Sequence, residues 1–492
     1  MNDAHGIISV ADMRAIDARS AALGVSTRTL MENAGAAVAA SVQRRWSPRP
    51  TVVLCGPGGN GGDGFVAARK LAEAGWPARV GFLGERAALE GDAKDAASAW
   101  MGWVDPADPV LLEPGALVVD ALFGAGLSRP LDGQAAALAA AARGFDTLCV
   151  DVPSGIHGDG AAPTGPHFRA DVTATFVRKK PAHLLEPGRS ACGFVDVLDI
   201  GTPDGALGGV DGAAWPVLWE NHPDHWPLPW PGPETHKYGR GHVAVIGGPA
   251  GRTGAARLAA RAALRAGAGV VTVVSPSDAL AEYAAHLTAV MVTLEDAGEE
   301  GAPPPRTNAV VIGPALGVGA EAGRRFSRAL GLGKPLVIDA DAITLASEAP
   351  SAFFAAVPEE AVLTPHAGEF RRLFPDLEAA PRVDAVRRAA ERAGCVVLLK
   401  GADTAIGAPD GRVVVNGTGL PFLATAGSGD VLAGIIAGLM AQGMGAFGAA
   451  CAGAWLHGRA GERLGPGLIA EDLPETLPAI LNDLAPLHLR RR

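Results

Sequence analysis

The sequence is poor in cysteine, and its few cysteines are far apart. Five occur in 492 residues, at positions 55, 149, 192, 395 and 451, and no two of them form a CxxC pair. This pattern excludes a disulfide-stabilised scaffold and a cysteine-rich zinc cluster. We interpret the cysteines as small buried apolar residues of a protein that works in a reducing compartment.

The sequence also lacks an excess of basic residues and a secretory leader. It has 42 Lys and Arg against 52 Asp and Glu, which gives a net charge of −10. That charge argues against a nonspecific nucleic-acid-binding surface. The first residues, MNDAHGIISVADMRAID, show no cationic start followed by an apolar core, so the cytoplasm is the expected location.

One uncharged run, residues 431–455, is long enough to span a bilayer. However, Gln442, Gly443 and Gly445 interrupt this run, and Asp430 directly precedes it. We therefore predict two buried helices of a large α/β domain rather than a membrane span.

The sequence is rich in an alternation of apolar, strand-like segments with alanine-rich, helix-like segments. TVVLC (51–55) precedes FVAARKLAEAG (65–75), and HVAVIGG (242–248) precedes GAARLAARAALRAGAG (254–269). Such alternation indicates βαβ units and mostly parallel sheets.

The alternation is lost between residues 201 and 239, which are rich in Pro, Gly and Trp. We interpret this stretch as an interdomain connection that packs in part on a surface. Farther along, DTAIGAPDGRVVVN (403–416) predicts a β-hairpin with Asp410-Gly411 at its turn. The chain is therefore predicted to contain two α/β domains, each with its own glycine-rich loop.

The loop of the second domain, ATAGSGDVLAG (424–434), places a carboxylate where a helix begins. The N–H groups of Ala426 to Gly429 would form an anion cradle at the positive end of the helix dipole. We expect Asp430 to remain ionised there and to accept a proton from a hydroxyl that attacks a phosphoryl group. The alternative is that Asp430 only caps the helix.

Several other segments of this half end a strand-like run with a polar residue. They are LKGADT (399–404), LTPHAGEF (363–370), VIGPALG (311–317) and VIDADAI (337–343). Ligands of open α/β sheets bind beyond the carboxyl ends of the strands, so these segments are expected to converge. Taken alone, Lys400 is also compatible with a solvated strand end, and His366 with a structural role.

In their order along the chain, these motifs resemble the ribokinase-like ADP/ATP-dependent NAD(P)H-hydrate dehydratase family over residues 225–492. The resemblance implies that Asp430 activates the hydroxyl of hydrated NADH or NADPH, that ADP (or ATP) with magnesium phosphorylates it, and that phosphate then leaves. The substrate contacts it implies are Ala255, Gly317, His366 and Asp430. The donor-nucleotide contacts it implies are Lys400, Gly401, Ala402, Asp403, Thr404 and Gly429. The aspartate in KGADT departs from the family pattern.

The glycine-rich loop of the first domain, CGPGGNGGDG (55–64), also follows a strand and opens a helix. It carries Asn60 and Asp63, and three further polar residues end later strands: Asp120, Asp151 and Ser154. Their oxygen atoms suit an alkali or alkaline-earth cation. The alternative is that they only stabilise turns.

Together with the leading segment that contains MENAG (31–35), these motifs resemble the NAD(P)H-hydrate epimerase family over residues 8–200. The resemblance implies a potassium ion held by Asn60, Asp120 and Ser154, and proton handling by Asp151. The substrate contacts it implies are Gly59, Asn60, Gly61, Gly62, Asp63, Gly124, Ala125, Gly126, Leu127, Ser128, Arg129, Pro130 and Asp151.

Both resemblances together predict an α/β chain with a Rossmann-like three-layer α/β/α domain at 1–215 and a ribokinase-like α/β domain at 225–492. The predicted function is repair of hydrated NAD(P)H by an epimerase (isomerase) fused to a dehydratase (lyase). The resemblance implies small-molecule substrates only, no nucleic acid or membrane partner, and a homo-oligomer. The alternative is a ribokinase-like small-molecule kinase whose N-terminal module binds a nucleotide without catalysis.

Overall fold

The computed structural model describes residues 1, 3–163, 165–208, 218–295 and 303–490. The chain divides into two compact units, Asp3–Leu218 and Trp219–Arg492. Each unit has its own sheet.

The first unit is a parallel sheet with helices between its strands. Its elements are α1 (Val10–Ala22), α2 (Thr27–Arg45), β1 (Thr51–Cys55), α3 (Gly59–Glu73), β2 (Ala78–Phe82), α4 (Gly91–Ala99), β3 (Val104–Pro106), β4 (Leu117–Ala121), α5 (Gly133–Ala141), β5 (Asp146–Val150), β6 (Val172–Phe176), α6 (Gly188–Cys192) and β7 (Phe194–Leu198). The strand order is β3-β2-β1-β4-β5-β6-β7, and all neighbours are parallel. The order reverses between β1 and β4, which is where a Rossmann-type sheet opens a ligand crevice.

Both faces of this sheet are covered, because alternate residues of β1 enter different cores. Val53 and Cys55 pack with the residues of α2 and α3, whereas Val52 and Leu54 pack with those of α5. Strands that are buried on both faces need the continuous apolar runs seen in the sequence. The predicted Rossmann-like three-layer architecture is confirmed.

The second unit has a larger mixed sheet. Its elements are β8 (Leu218–Glu220), β9 (His242–Ile246), α7 (Gly254–Arg265), β10 (Val270–Ser275), α8 (Leu280–His286), β11 (Met291–Leu294), β12 (Ala309–Ile312), α9 (Ala320–Leu330), β13 (Leu336–Ile338), α10 (Ala340–Ala346), α11 (Pro350–Ala356), β14 (Ala361–Leu363), α12 (Ala367–Leu373), α13 (Arg382–Ala393), β15 (Val396–Leu399), β16 (Ala405–Gly407), β17 (Val413–Val415), α14 (Ser428–Ala441), α15 (Ala446–Leu464) and α16 (Asp472–Leu484). The strand order is β11-β10-β9-β12-β13-β14-β15-β16-β17-β8. Strands β9 to β15 pair in parallel, and β15, β16 and β17 pair in antiparallel fashion.

Two expectations for this half have different outcomes. The hairpin is confirmed, because β16 and β17 are antiparallel and Gly411 lies between them with φ +88°. The stretch 201–239, interpreted as an interdomain connection that packs in part on a surface, contains at its centre a strand that the sequence analysis did not predict. There β8 joins the edge of the sheet, and the N–H of Asn221 donates to the carbonyl of Val415 at 2.8 Å. Residues 209–217 of the connection lie outside the described residues.

The uncharged run 431–455 forms parts of two helices, as predicted. Helix α14 ends at Ala441 and α15 begins at Ala446, so polar Gln442 and two glycines separate them. No helix in the described part of the chain combines the length and apolarity that crossing a membrane requires. All five cysteines are buried and unpaired.

Helix α14 packs unusually close to α7. A methyl group at Gly434 would lie 2.1 Å from the carbonyl oxygen of Ala259, and one at Gly438 would lie 2.7 Å from that of Ala263. Only glycine permits this approach of the two backbones, since real Cβ atoms do not come nearer than 3.0 Å. The position of α14, and with it Asp430, therefore depends on these glycines.

We expect Gly434→Ala to lower the free energy of unfolding by ~1–3 kcal/mol, because the helices must separate to admit the methyl group. Gly323→Ala is the matched control. Gly323 lies within α9 and nothing is within 4 Å of its would-be Cβ, so alanine there should be neutral or stabilising. Chemical denaturation of both variants measures the difference. Equal stabilities of the two variants would contradict this account of the packing.

Candidate active sites

In the second unit, charged residues follow two parallel strands at one edge of the sheet. Asp339 follows β13 and Lys400 follows β15. Lys400 Nζ lies 2.7 Å from Asp339 Oδ1, and the Asp339 side chain is only 2% exposed. Burial alone would lower the pKa of Lys400, but Asp339 and nearby acids raise it above its usual value. The pair therefore keeps a fixed ammonium group at the strand ends.

The start of α14 reaches this ion pair. Gly427 precedes the helix with φ +85°, and a Cβ at Gly429 would lie 3.3 Å from Lys400 Nζ and 3.7 Å from Asp339 Oδ2. Because the first N–H groups of a helix have no partner within it, they are available to an anion beside Lys400. The geometry suits a phosphate group.

Asp430 is poised between its ionised and neutral forms. Gly429 and Asp430 are the residues of α14 that are not buried, so the helix presents them to the site. Burial, followed by the charge of Asp339, raises the pKa of Asp430 to about 7, while Lys400 opposes the rise and Asp341 adds to it. The expectation that Asp430 stays fully ionised is therefore wrong, because partial burial among acids outweighs the helix dipole.

The segment from Lys400 to Thr404 is shaped by Arg382, which the sequence did not single out. The Arg382 guanidinium donates to the carbonyls of Leu399, Lys400 and Asp403 at 2.8–3.1 Å. It also lies 3.1 Å from the Asp403 carboxylate. Thr404 Oγ1 donates to the carbonyl of Gly401. The departure from the family pattern at position 403 thus supplies an internal counter-charge for Arg382.

The remaining residues predicted for this site lie at helix or strand ends. His366 caps α12, where its Nδ1 accepts from the N–H groups of Gly368 and Glu369. The N–H of Gly317 donates to Asp341 Oδ2 at 2.8 Å. Ala255 lies in the first turn of α7, next to Gly254, which lines a cavity of about 570 Å³. Within the described part of the chain, His366, Gly317 and Ala255 form no hydrogen bond or ion pair with Asp430, although the charge of Asp341 acts on it.

A histidine that the sequence analysis missed holds the start of α14. His457 Nε2 lies 3.0 Å from both the carbonyl oxygen and Oγ of Ser428. Burial, with the charge of Lys400 adding to it, lowers the pKa of His457 to about 4, so the ring is neutral. It therefore anchors the loop without adding charge. No local pattern in AWLHGRA marks this residue.

In the first unit, the structure brings together three of the predicted segments. The Asp151 Oδ2 accepts from the N–H of Ala125 at 2.8 Å. A Cβ at Gly124 would lie 2.9 Å from Asp151 Oδ2 and 3.2 Å from Asn60 Oδ1. The glycine-rich loop, the loop after β4 and the residue after β5 thus converge at the reversal in strand order. Ser128, Arg129 and Pro130 lie at the exposed rim of the same loop.

The proposed ion ligands are close together and rich in oxygen. Ser154 Oγ lies 2.7 Å from Asp120 Oδ1 and 3.0 Å from the carbonyl oxygen of Phe123. The Nδ2 of Asn60 is buried and has no hydrogen-bond partner among the described residues. An unsatisfied buried N–H donor fits an acceptor atom of a bound substrate, whereas the oxygen atoms of Asn60, Asp120 and Ser154 are the ones that a cation would contact.

Asp151 has partners that the sequence analysis did not find. Its Oδ1 lies 2.9 Å from Lys180 Nζ, and His183 Nε2 donates to its backbone carbonyl at 2.8 Å. Burial alone would raise the pKa of Asp151, but Lys180 and the Ala125 N–H lower it below its usual value.

Two nearby carboxyl groups behave in the opposite way. Burial raises the pKa of Asp63 well above its usual value, and the charges of Asp151 and Asp17 add to this. Burial also raises the pKa of Asp17 to about 6, against the opposing charge of Lys180. The site therefore combines a carboxylate whose pKa is lowered with two carboxyl groups whose pKa values are raised, which is the arrangement that separates acid and base roles.

Comparisons with known proteins match both units. A family model described as YjeF-related protein N-terminus matches residues 27–182, and one described as NAD(P)H-hydrate dehydratase matches residues 243–481. Among solved structures, a ribokinase-like superfamily protein from Enterococcus faecalis has 26% identity and a TM-score of 0.50, and covers 56% of this chain and 99% of that chain. An ADP/ATP-dependent NAD(P)H-hydrate dehydratase from Bacillus subtilis, co-crystallised with ATP and Mg²⁺, has 24% identity and a TM-score of 0.48, and covers 55% of this chain and all of that one.

One curated relative matches almost end to end. The bifunctional NAD(P)H-hydrate repair enzyme Nnr of Methanopyrus kandleri is 34% identical over 520 residues, which cover 97% of this chain and 97% of the relative. The match spans both units of this chain. The chain therefore belongs to the family of bifunctional NAD(P)H-hydrate repair enzymes.

Proposed function

We infer that this chain repairs hydrated nicotinamide dinucleotides with two activities. It interconverts the R and S forms of hydrated NADH or NADPH, and it dehydrates the S form to NAD(P)H at the expense of ADP or ATP. Family membership over 97% of the chain supports both activities, and the observation that carries the chemistry is Asp430 beside the Asp339–Lys400 pair. We propose that residues 1–215 hold the epimerase and residues 225–492 the dehydratase.

In the proposed dehydratase site, Asp430 is the general base. It takes the proton from the added hydroxyl, whose oxygen attacks the terminal phosphoryl group of the nucleotide. The bond from that phosphorus to its bridging oxygen breaks, and AMP (from ADP) or ADP (from ATP) leaves with the electron pair. Lys400 and the N–H of Gly429 stabilise the charge on the transferring group. The carbon–oxygen bond then breaks, phosphate leaves with the electron pair, and loss of a ring proton restores the dihydronicotinamide.

We propose binding roles for the other residues that the resemblance implies. We propose that Gly401, Ala402, Asp403 and Thr404 contact the donor nucleotide, whose phosphates carry magnesium. Asp403 would contribute through its backbone, because its carboxylate faces Arg382. Ala255, Gly317 and His366 would contact the hydrated substrate. The cavity beside Gly254 supports placing part of the dinucleotide next to α7.

The pKa of Asp430 predicts the pH dependence of dehydration. A general base acts only when it is deprotonated, so kcat should be half its maximum at the pKa of Asp430, about 7, level off roughly one pH unit above it and fall below it. Rates measured with saturating hydrated NADH and ADP across that range check this. A rate that stays constant well below pH 6 would contradict it.

The R and S forms differ in configuration at the ring carbon that carries the hydroxyl. In the proposed epimerase site, the bond between that carbon and the hydroxyl oxygen must therefore break and form again. The resemblance implies that Asp151 handles the proton, but the pKa of Asp151 is lowered and that of Asp63 is raised. We therefore propose that protonated Asp63 gives its proton to the leaving hydroxyl, which departs as water with the electron pair. The ring nitrogen then shares its lone pair, and the resulting iminium-like ring is stabilised by the Asp151 carboxylate. Water adds to the other face and returns a proton to Asp63.

The substrate contacts proposed for this unit are those that the resemblance implies: Gly59 to Asp63, Gly124 to Pro130, and Asp151. We propose that Asn60, Asp120 and Ser154 hold a potassium ion. When bound, such an ion supplies a fixed positive charge for the phosphates of the substrate or for the loops. The short distances among Ser154, Asp120 and the carbonyl of Phe123 support this.

The two activities are tested together by mixing the protein with ADP, magnesium and both epimers of hydrated NADH. We expect complete conversion to NADH, because epimerisation turns the R form into the S form that the dehydratase uses. The absorbance of NADH measures this conversion. No NADH with either ADP or ATP would overturn the proposal. A stable phosphorylated alcohol in place of free phosphate would support the alternative of a small-molecule kinase.

We further propose that the enzyme is a homo-oligomer, which light scattering tests.

A further inference from the structure

A short turn after β6 holds Asp151 by both its side chain and its backbone. Lys180 Nζ lies 2.9 Å from Asp151 Oδ1. Three residues on, the His183 ring donates to the Asp151 carbonyl and accepts the N–H of Lys180, both at 2.8 Å. Asp151 itself has φ +67°, a conformation that residues other than glycine seldom adopt. Such a backbone persists only where surrounding contacts enforce it.

The Lys180 side chain is buried, and all the partners of its ammonium group among the described residues are near Asp151. Its side chain is 2% exposed, and Nζ also donates to Thr175 Oγ1 at 2.9 Å and to the carbonyl of Phe176 at 3.2 Å. A buried ammonium with three partners is a poor proton carrier, but it fixes the charge and orientation of the carboxylate beside it.

We propose that Lys180 is the positioning residue of the epimerase: it keeps Asp151 an oriented carboxylate within a cluster of acids. This inference rests on the proposed function of Asp151. Without the ammonium group, Asp151 would be a buried carboxyl group among other carboxyl groups and would take up a proton. The titratable groups around it are Asp17 from α1, Asp63 from α3, His183 from the turn and Cys192 from α6.

The test compares the pH profile of R/S exchange in the full-length wild type with that of Lys180→Met and Lys180→Arg, after subtraction of the rate without enzyme. We call the fall in exchange rate on the acid side of the profile the acid limb. We expect this limb to lie at higher pH in Lys180→Met than in the wild type, by on the order of one pH unit or more. Lys180→Arg keeps the charge and should keep the limb near its wild-type position. A purely structural role would lower the rate without moving the limb.

Two further variants keep the outcomes separate. Asp17→Asn removes a neighbouring group that titrates near pH 6, so a shift of the limb by Lys180→Met that persists in the Asp17→Asn background is not due to Asp17. Asp151→Asn tests the proposed function itself: full exchange activity there would overturn the role of Asp151. If Asp151→Asn is inactive and Lys180→Met has the wild-type limb, only the inference about Lys180 fails. Should Lys180→Met not fold, Lys180→Gln removes the charge but keeps a polar group for Thr175 and Phe176, and it is expected to shift the limb in the same direction. An unchanged limb in that variant would overturn the inference.

Discussion

Replacement of Asp430 by asparagine should abolish dehydration and leave epimerisation intact. Asparagine has nearly the same shape but cannot accept the hydroxyl proton, so we expect kcat for NADH formation to fall by roughly 10²–10⁴-fold. The position lies in the second unit, whereas the residues proposed for exchange lie in the first. Chromatographic separation of the R and S forms measures exchange in the same preparation.

The matched control for this experiment is Asp341→Asn. Asp341 is also an acid near the site, and its carboxylate accepts from the Gly317 N–H and adds to the raised pKa of Asp430. Its loss should lower that pKa and reduce the rate less than the loss of Asp430 does. If Asp430→Asn retained more than a small fraction of the wild-type kcat, the residue would be a helix cap and not the base.

We expect Asp151→Asn to impair epimerisation and to leave dehydration intact. We expect R/S exchange to fall by roughly 10²–10³-fold, because a neutral amide cannot stabilise a positively charged ring. Asparagine tolerates the left-handed backbone of this position better than most residues do, so the loop after β5 should keep its course. With the S form supplied directly, NADH formation should continue at the wild-type rate.

That continued dehydration is the internal control for folding of the second unit, and a thermal melt of the variant monitors the first. The melt matters because the change leaves Lys180 buried without its counter-charge, which costs stability. Loss of both activities in a folded variant would contradict the assignment of one reaction to each unit.

The sequence predicted those features that depend on local patterns. Apolar runs such as TVVLC indicated strands covered on both faces, and the AGSGD motif located the start of α14 and its half-buried acid. The polar residues that end strands in the first unit were also recognised, although the meeting of the loops around Asn60, Gly124 and Asp151 was not itself predicted.

The features that the sequence did not predict depend on long-range packing. Arg382, His457 and Lys180 carry no motif that marks them, and each acts on a residue that lies on a separate element. The pKa of Asp430 was misjudged for the same reason. The helix dipole follows from the local sequence, but burial beside Asp339 follows only from the folded sheet.

The burial of every thiol has a consequence for how such an enzyme withstands chemical stress. Burial raises the pKa of all five cysteines, and the neutral thiol is a weak nucleophile. Peroxides and electrophiles that accumulate when redox metabolism is disturbed would therefore find no reactive thiol on the folded chain. Neither proposed reaction uses a sulfur atom, so repair of the cofactor pool can continue under the oxidising conditions that disable thiol-dependent enzymes.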